Sequence, residues 1–123
     1  MTTNASPISG IDITAYLVKD ANRAIAFYRD TLGMTPSSVT EGKGAEFTFG
    51  DATFGIWQMD DDSWSAGSGV MFAVSDLKAA VDLYKSRGVK FQGDGHIEDM
   101  PHCAMAFGED SEGNHFILHQ HKT

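Results

Sequence analysis

The sequence predicts an α+β fold built from two tandem βαβββ modules, and three observations indicate it. Residues 16–29 (YLVKDANRAIAFYR) match residues 72–85 (FAVSDLKAAVDLYK), 56 positions further along the chain. Each copy then reaches a glycine, Gly33 or Gly88, followed by short runs rich in β-branched and aromatic residues. The 123 residues suffice for one hydrophobic core but not for two independent ones, so both copies belong to one domain.

Each copy of the repeat begins as a strand that leads into a capped helix. Asp20 and Asp76 stand at this transition, where a carboxylate accepts unpaired backbone N–H groups and suits the positive end of the helix dipole. Apolar residues then recur at helical spacing and form one stripe per copy. Gly33 and Gly88 fit the left-handed conformation that ends many helices. The repeat therefore predicts one helix in each module.

The segments after each helix predict three further strands per module. They cover residues 35–40, 45–49 and 53–59 in the first half, and 89–92, 103–107 and 115–120 in the second. Residues 93–101 are predicted to form a loop, and residues 110–114 (DSEGN) a tight turn.

These assignments divide the chain into two modules within one domain. We expect a flexible N-terminal segment and a single folded domain that contains a polar linker. The boundaries are 1–9 for the segment, 10–121 for the domain, 10–60 for module one, 60–68 for the linker and 69–121 for module two.

Composition and charge narrow the classes of partner. The net charge is −8 and the sequence pI is about 4.8, so the surface repels phosphate backbones and anionic lipid. Neither nucleic acid nor membrane is therefore an expected partner. Cys103 is the single cysteine, and the polar start of the chain lacks the features of a secretory signal. We expect a cytoplasmic protein.

The repeat resembles the vicinal oxygen chelate superfamily, which includes glyoxalase I, extradiol dioxygenases, fosfomycin-resistance enzymes and bleomycin-resistance proteins. The resemblance lies in residues 16–34, in residues 74–91 and in the closing hairpin over residues 100–122. It implies a cupped, eight-stranded mixed sheet with helices outside, a small-molecule ligand in the cup, and a homodimer that completes some pockets. Such folds host many chemistries, so activity must be inferred from the site.

Metal-dependent members of this superfamily hold a divalent ion with four side chains that point into the cup. The resemblance places the four positions at Ile13, Gly55, Gly69 and Ile117, none of which offers a metal-binding side chain. We therefore predict no metal and no cofactor. A divalent metal on displaced ligands is the alternative.

Strand alternation then predicts which side chains line the cup. If the four tetrad positions face inward, their neighbours two residues away do so as well. The predicted ligand-binding residues are Ile13, Trp57, Met59, Met71, His115 and His119. Such an apolar and aromatic lining suits an apolar or aromatic ligand, although the same side chains would also fill a closed core.

Two residues are candidates for acid–base chemistry. His119 could act as a general base in the cup, and Glu46 could do so if Phe47 and Phe49 face the helices. A solvent-exposed strand charge is the alternative for Glu46. We thus predict a metal-free binding protein of the bleomycin-resistance kind. The alternative is a glyoxalase- or dioxygenase-like lyase or isomerase that uses displaced metal ligands or a His or Glu base.

Overall fold

A computed structural model describes residues 6–59 and 64–122, so part of the N-terminal segment and of the linker lies outside the described residues. Module one contains β1 (Thr14–Val18), α1 (Ala21–Ala26), a π-helical turn (Phe27–Thr31), β2 (Ser38–Thr40), β3 (Gly44–Phe49) and β4 (Ala52–Gln58). Module two contains β5 (Ser68–Ala73), α2 (Leu77–Ser86), β6 (Lys90–Phe91), a 3-10 turn (Gln92–Asp94), β7 (Glu98–Asp99), β8 (Cys103–Glu109) and β9 (His115–His121).

The described strands form two mixed sheets, one for each module. The first has the order β1-β4-β3-β2, and the second has the order β5-β9-β8-β6, with β7 also paired to β8. The pairs β1–β4 and β5–β9 are parallel and the others are antiparallel. The predicted α+β fold with two βαβββ modules is therefore confirmed. The sheets form separate ladders rather than a single eight-stranded one.

Strand β7 was not predicted, because residues 93–101 were assigned to a loop. Glu98 and Asp99 pair with Met105 and Ala104 of β8 at the edge of the second sheet. A strand of two acidic, exposed residues has no hydrophobic alternation that a sequence pattern could reveal. Only its backbone hydrogen bonds to β8 define it.

Both helices begin as the repeat predicts. The Asp20 side chain accepts a hydrogen bond from the Arg23 N–H, and Asp76 accepts one from the Ala79 N–H, each at 3.1 Å. Gly33 and Gly88 have φ values of 81° and 86°, the left-handed conformation expected after a helix. Helix α1 differs from α2 because its second half widens into the π-helical turn.

A second cap, which the sequence did not predict, is also duplicated. Gln58 is the last residue of β4, and its Oε1 accepts a hydrogen bond from the Ala21 N–H at 2.7 Å. Gln120 in β9 places its Oε1 2.7 Å from the Leu77 N–H. Ala21 and Leu77 are buried first residues of α1 and α2, so each glutamine satisfies a donor that water does not reach.

One aromatic core joins the modules. Tyr28 of α1 is fully buried, and its ring lies 5.1 Å from Phe54 of the first sheet and 6.3 Å from Phe72 of the second. The rings of Phe54 and Phe72 are 5.0 Å apart in an edge-to-face contact. The buried faces of both sheets therefore meet in a shared core, as the chain length requires.

The turn between β8 and β9 adds a buried polar contact between the modules. Asp110 accepts the backbone N–H groups of Glu112 and Asn114 through Oδ1, both at 2.8 Å. Its Oδ2 accepts the Tyr28 hydroxyl at 2.7 Å. Burial and the nearby Asp110 charge raise the pKa of Tyr28, so the phenol stays protonated and donates this bond.

Glu112 in the same turn binds the start of α1. Its carboxylate accepts the backbone N–H groups of Lys19 and Asp20, and both carboxylate oxygens accept bonds from the Arg23 guanidinium. Burial alone would raise the pKa of Glu112. The bonds from Arg23, Asp20 and Ser111 outweigh burial and hold the pKa of this carboxyl below its usual value. The turn is thus an ionic and hydrogen-bonded link across the module boundary.

Candidate functional site

The first sheet has one buried face and one face that is open to solvent in part. Tyr16, Phe54 and Ile56 belong to the buried face. Because side chains alternate along a strand, Gly55 and Trp57 lie on the opposite face, as predicted for the cup. We call this surface the indole face; it comprises Ala15, Leu17, Gly44, Glu46, Gly55 and Trp57.

The indole of Trp57 lies across two glycines on this face. A Cβ atom added to Gly55 would stand 3.0 Å from the indole Nε1, and one added to Gly44 would stand 2.6 Å from Cε3. Gly44 is the cross-strand partner of Trp57, while Gly55 precedes it by two residues on β4. The ring therefore spans β3 and β4 in close contact with the backbone, a position that any larger residue at either glycine would disturb. Its outer side is partly exposed.

Glu46 shares the indole face with Trp57. It pairs directly with Gly55 across the sheet, so its side chain leaves the same face next to the glycine that the indole covers. Phe47 is buried on the other face, which bears out the alternation on which the Glu46 assignment depended. Phe49 follows by two residues and lies on the same face as Phe47, but it is 53% exposed at the end of β3.

Ile13 and Met59 flank the indole face. Ile13 precedes β1, and its Cγ2 lies 3.2 Å from the position of a Cβ on Gly55, so it contacts the same glycine as Trp57. Met59 follows β4 and is 48% exposed. The structure thus brings Ile13 and Trp57 together around Gly55.

The other predicted ligand-binding residues belong to the second sheet. Met71 on β5 pairs with Ile117, and it is 54% exposed. His119 on β9 pairs with Ala73, and its ring lies 4.8 Å from that of His121. His115 is exposed at the start of β9. Glu46 and His119, the two candidate bases, therefore stand on different sheets.

A groove of about 610 Å³ lies between the modules and was not predicted. The edge strand β5 lines one side, including Met71, which was among the predicted ligand-binding residues. Leu32, Met34, Phe49 and Tyr84 line other parts of it. Since its walls come from distant segments of both modules, no local sequence pattern could have indicated it.

The residues present do not fit the metal tetrad of the superfamily. Ile13, Gly55, Gly69 and Ile117 offer no side-chain donor. Within residues 6–59 and 64–122, no three His, Cys, Asp or Glu side chains cluster in a way that could hold a metal ion. The alternative of displaced metal ligands would use residues such as Glu46, His115 and His119, and these do not form such a cluster in the described residues.

No helix in the described part of the chain is long and apolar enough to cross a membrane.

The fold and the indole face define a class: a duplicated βαβββ protein with a shared aromatic core and partly open outer sheet faces. The sequence match is more specific. Residues 10–118 match the Glyoxalase/Bleomycin resistance protein/Dioxygenase superfamily, and the chain belongs to this family. The predicted resemblance is thereby confirmed.

Solved structures share this fold across nearly the whole chain. A superfamily member from Sphaerobacter thermophilus is similar with a TM-score of 0.76 and 21% identity, covering 92% of this chain and 98% of that one. The antibiotic-binding protein TnmS3 from Streptomyces sp. CB03234 has a TM-score of 0.74 and 20% identity, covering 96% and 100%. Lactoylglutathione lyase from Agrobacterium tumefaciens has a TM-score of 0.73 and 19% identity, covering 93% and 95%. None of the curated proteins matches the sequence.

Proposed function

We propose that this protein binds small planar or apolar molecules on the indole face, in the manner of bleomycin-resistance-type binding proteins. The observation that carries the proposal is the Trp57 indole, which rests on Gly44 and Gly55 and presents its outer side at a partly open surface. An aromatic ring held against the backbone offers a large stacking area with little loss of side-chain freedom on binding.

Three features support binding in preference to metal-dependent catalysis. The four tetrad positions carry Ile13, Gly55, Gly69 and Ile117, which provide no ligands. Glu46 and His119 lie on separate sheets and so do not form an acid–base pair within one sheet. Finally, TnmS3, which has the same fold, is an antibiotic-binding protein.

We also infer that a homodimer completes the ligand cup. β1 and β5 are edge strands of the described sheets. Their outer edges are bonded in part within the chain, since the Leu17 carbonyl accepts from Trp64 and Asn114 and the Val70 N–H donates to the Tyr16 hydroxyl, so the inference rests on the side chains beside these edges. Apolar side chains are exposed beside these edges: Ile11 at 88%, Ile13 at 39% and Met71 at 54%. A second copy that covers them would enclose the indole face and remove apolar surface from water.

Calorimetric titration tests the binding proposal with matched variants. The full chain is titrated with a panel of planar aromatic and aliphatic compounds. We expect Trp57→Ala to weaken binding of the planar compounds by about tenfold or more, a loss of about 1.4 kcal/mol. Trp64→Phe is the control, because the Trp64 indole bonds to the backbone carbonyl of Leu17 at the edge of β1 and to no side chain of the indole face, so the substitution should change affinity far less. Wild-type protein that binds no compound of the panel would refute the proposal.

Analytical ultracentrifugation tests the dimer. We expect the wild type to sediment as a dimer and Met71→Glu to shift it toward monomer, because a charge would be buried in the interface. Leu83→Glu is the control and should leave the dimer intact, because Leu83 is an apolar residue of similar exposure that lies on α2. Monomeric wild-type protein at micromolar concentration would contradict the inference.

A further inference from the structure

Glu46 is the acidic side chain nearest in the sheet to the indole platform. Its partner across β3 and β4 is Gly55, which the Trp57 ring covers, and its partner on β2 is the neutral Ser38. The glutamate is partly buried on this face. The Glu46 side chain and the Trp57 ring are therefore neighbours on the indole face.

The Glu46 carboxylate has no counter-ion in the described part of the chain. No hydrogen bond or ion pair of its side chain occurs there, whereas Asp30 pairs with Arg29 and Glu112 pairs with Arg23. A partly buried carboxylate has lost some of its water without gaining a protein donor in exchange. A cationic ligand would supply that missing partner.

The ligand chemistry follows from these two groups together. The face of an indole attracts cations through its ring quadrupole and stacks with other planar rings. A carboxylate beside it favours positive charge, and the net charge of −8 raises the local concentration of cations while repelling anions. A planar aromatic cation satisfies the ring and the carboxylate at once, while a neutral aromatic satisfies the ring alone.

We propose that the indole face selects planar aromatic cations, with Trp57 as the stacking platform and Glu46 as the charge-selecting residue. This selectivity rests on the proposed binding function and adds the charge class of the ligand to it. The binding is noncovalent and requires no cofactor or second reactant.

A series of three ring systems of equal size and different charge tests the proposal. The probes are N-methylquinolinium, 4-methylquinoline and quinoline-4-carboxylate, titrated at pH 7.5 and low salt into the Trp64→Phe variant, in which Trp57 is the remaining tryptophan. Quenching of Trp57 fluorescence reports binding. We expect the cation to bind about tenfold tighter than the neutral ring, and the anion to bind most weakly.

The Glu46→Gln substitution then separates charge from stacking. It should remove most of the preference for the cation while leaving affinity for the neutral ring within about twofold. Glu41→Gln is the matched control, because Glu41 is an exposed acid in the turn before β3 and should leave the preference intact.

The outcomes distinguish the two proposals. Equal affinity for cation and neutral ring, or an unchanged preference in Glu46→Gln, overturns the charge selectivity and leaves the binding function standing. If none of the three probes quenches Trp57, both the selectivity and the binding function at this face are refuted. The charge series needs no Glu46 variant, so it decides the selectivity even if that variant does not fold.

Discussion

Tyr28 in module one and Tyr84 in module two occupy the same position of the repeat, yet they have different partners. Tyr28 is fully buried and donates to the buried carboxylate of Asp110 at 2.7 Å. Tyr84 is partly buried and donates to the backbone carbonyl of Leu32, also at 2.7 Å. Each tyrosine reaches into the other module, but only Tyr28 meets a charged group there.

The difference comes from the two hairpin turns. Module one joins β3 to β4 through Gly50 and Asp51, both exposed, whereas module two joins β8 to β9 through residues 110–114. The longer turn carries Asp110 and Glu112, whose buried side chains bond to module one. The helix caps are therefore alike in both copies, while the contacts between the copies are unequal.

The largest effect should come from breaking the Glu112 link. We expect Glu112→Gln to lower the free energy of unfolding by about 3 kcal/mol at pH 7, because it removes the buried carboxylate that accepts charge-assisted bonds from the Lys19 and Asp20 N–H groups and from Arg23. The folded state holds the pKa of Glu112 below its usual value. Its stabilisation is therefore present above the usual pKa and is lost as the pH falls through the lowered folded value.

Urea unfolding of wild type and variant from pH 7 to pH 2 measures this effect. The difference between them should shrink as the pH falls from about 5 toward 2. Glu41→Gln, which alters an exposed turn acid, should show little difference at any pH. A difference between wild type and Glu112→Gln that stays constant over the whole range would contradict the role of the ionised carboxylate.

The tyrosine pair tests the asymmetry directly. Tyr28→Phe should cost about 2 kcal/mol of unfolding free energy, since it removes a hydrogen bond to a buried charge. Tyr84→Phe should cost about 1 kcal/mol, because its acceptor is a neutral carbonyl. Paired urea titrations compare the two, and Tyr28→Phe/Asp110→Asn shows whether Asp110 accounts for the excess. Equal losses of unfolding free energy in the two single variants would contradict a stronger hydrogen bond at Tyr28 than at Tyr84.

The smallest loss of stability should come from the glutamine caps, which are alike in the two modules. Gln58→Ala and Gln120→Ala should each cost about 1 kcal/mol, because each leaves the first buried N–H of a helix without its acceptor. Thermal unfolding suffices to rank these two variants against Gln92→Ala. Gln92 is exposed, so its replacement should leave the free energy of unfolding nearly unchanged. A marked difference between Gln58→Ala and Gln120→Ala would show that the caps diverged as well.

Local rules account for what the sequence predicted correctly. Asp20 and Asp76 cap helices, and Gly33 and Gly88 end them, because these roles depend on a residue and its immediate neighbours. Both roles occur in each copy of the repeat, so each was indicated by two independent positions.

Long-range pairing accounts for what the sequence did not predict. The contact of Trp57 with Gly44 depends on the register of β3 against β4, and the Gln58 cap depends on β4 lying beside β1. The segment Gly42–Lys43–Gly44 indicates a turn locally but does not indicate which ring will lie over Gly44. The role of the six predicted ligand-binding residues remains a prediction.

The position of the Trp57 ring on glycine backbone would separate the proposed ligand binding from folding. Its ring lies outside the aromatic core around Tyr28, so ring replacement at position 57 changes the surface that a ligand meets without removing a core side chain. If Trp57 binds ligand as proposed, exchange for another aromatic ring could change ligand preference at little cost in stability, because surface substitutions away from the core usually have small effects.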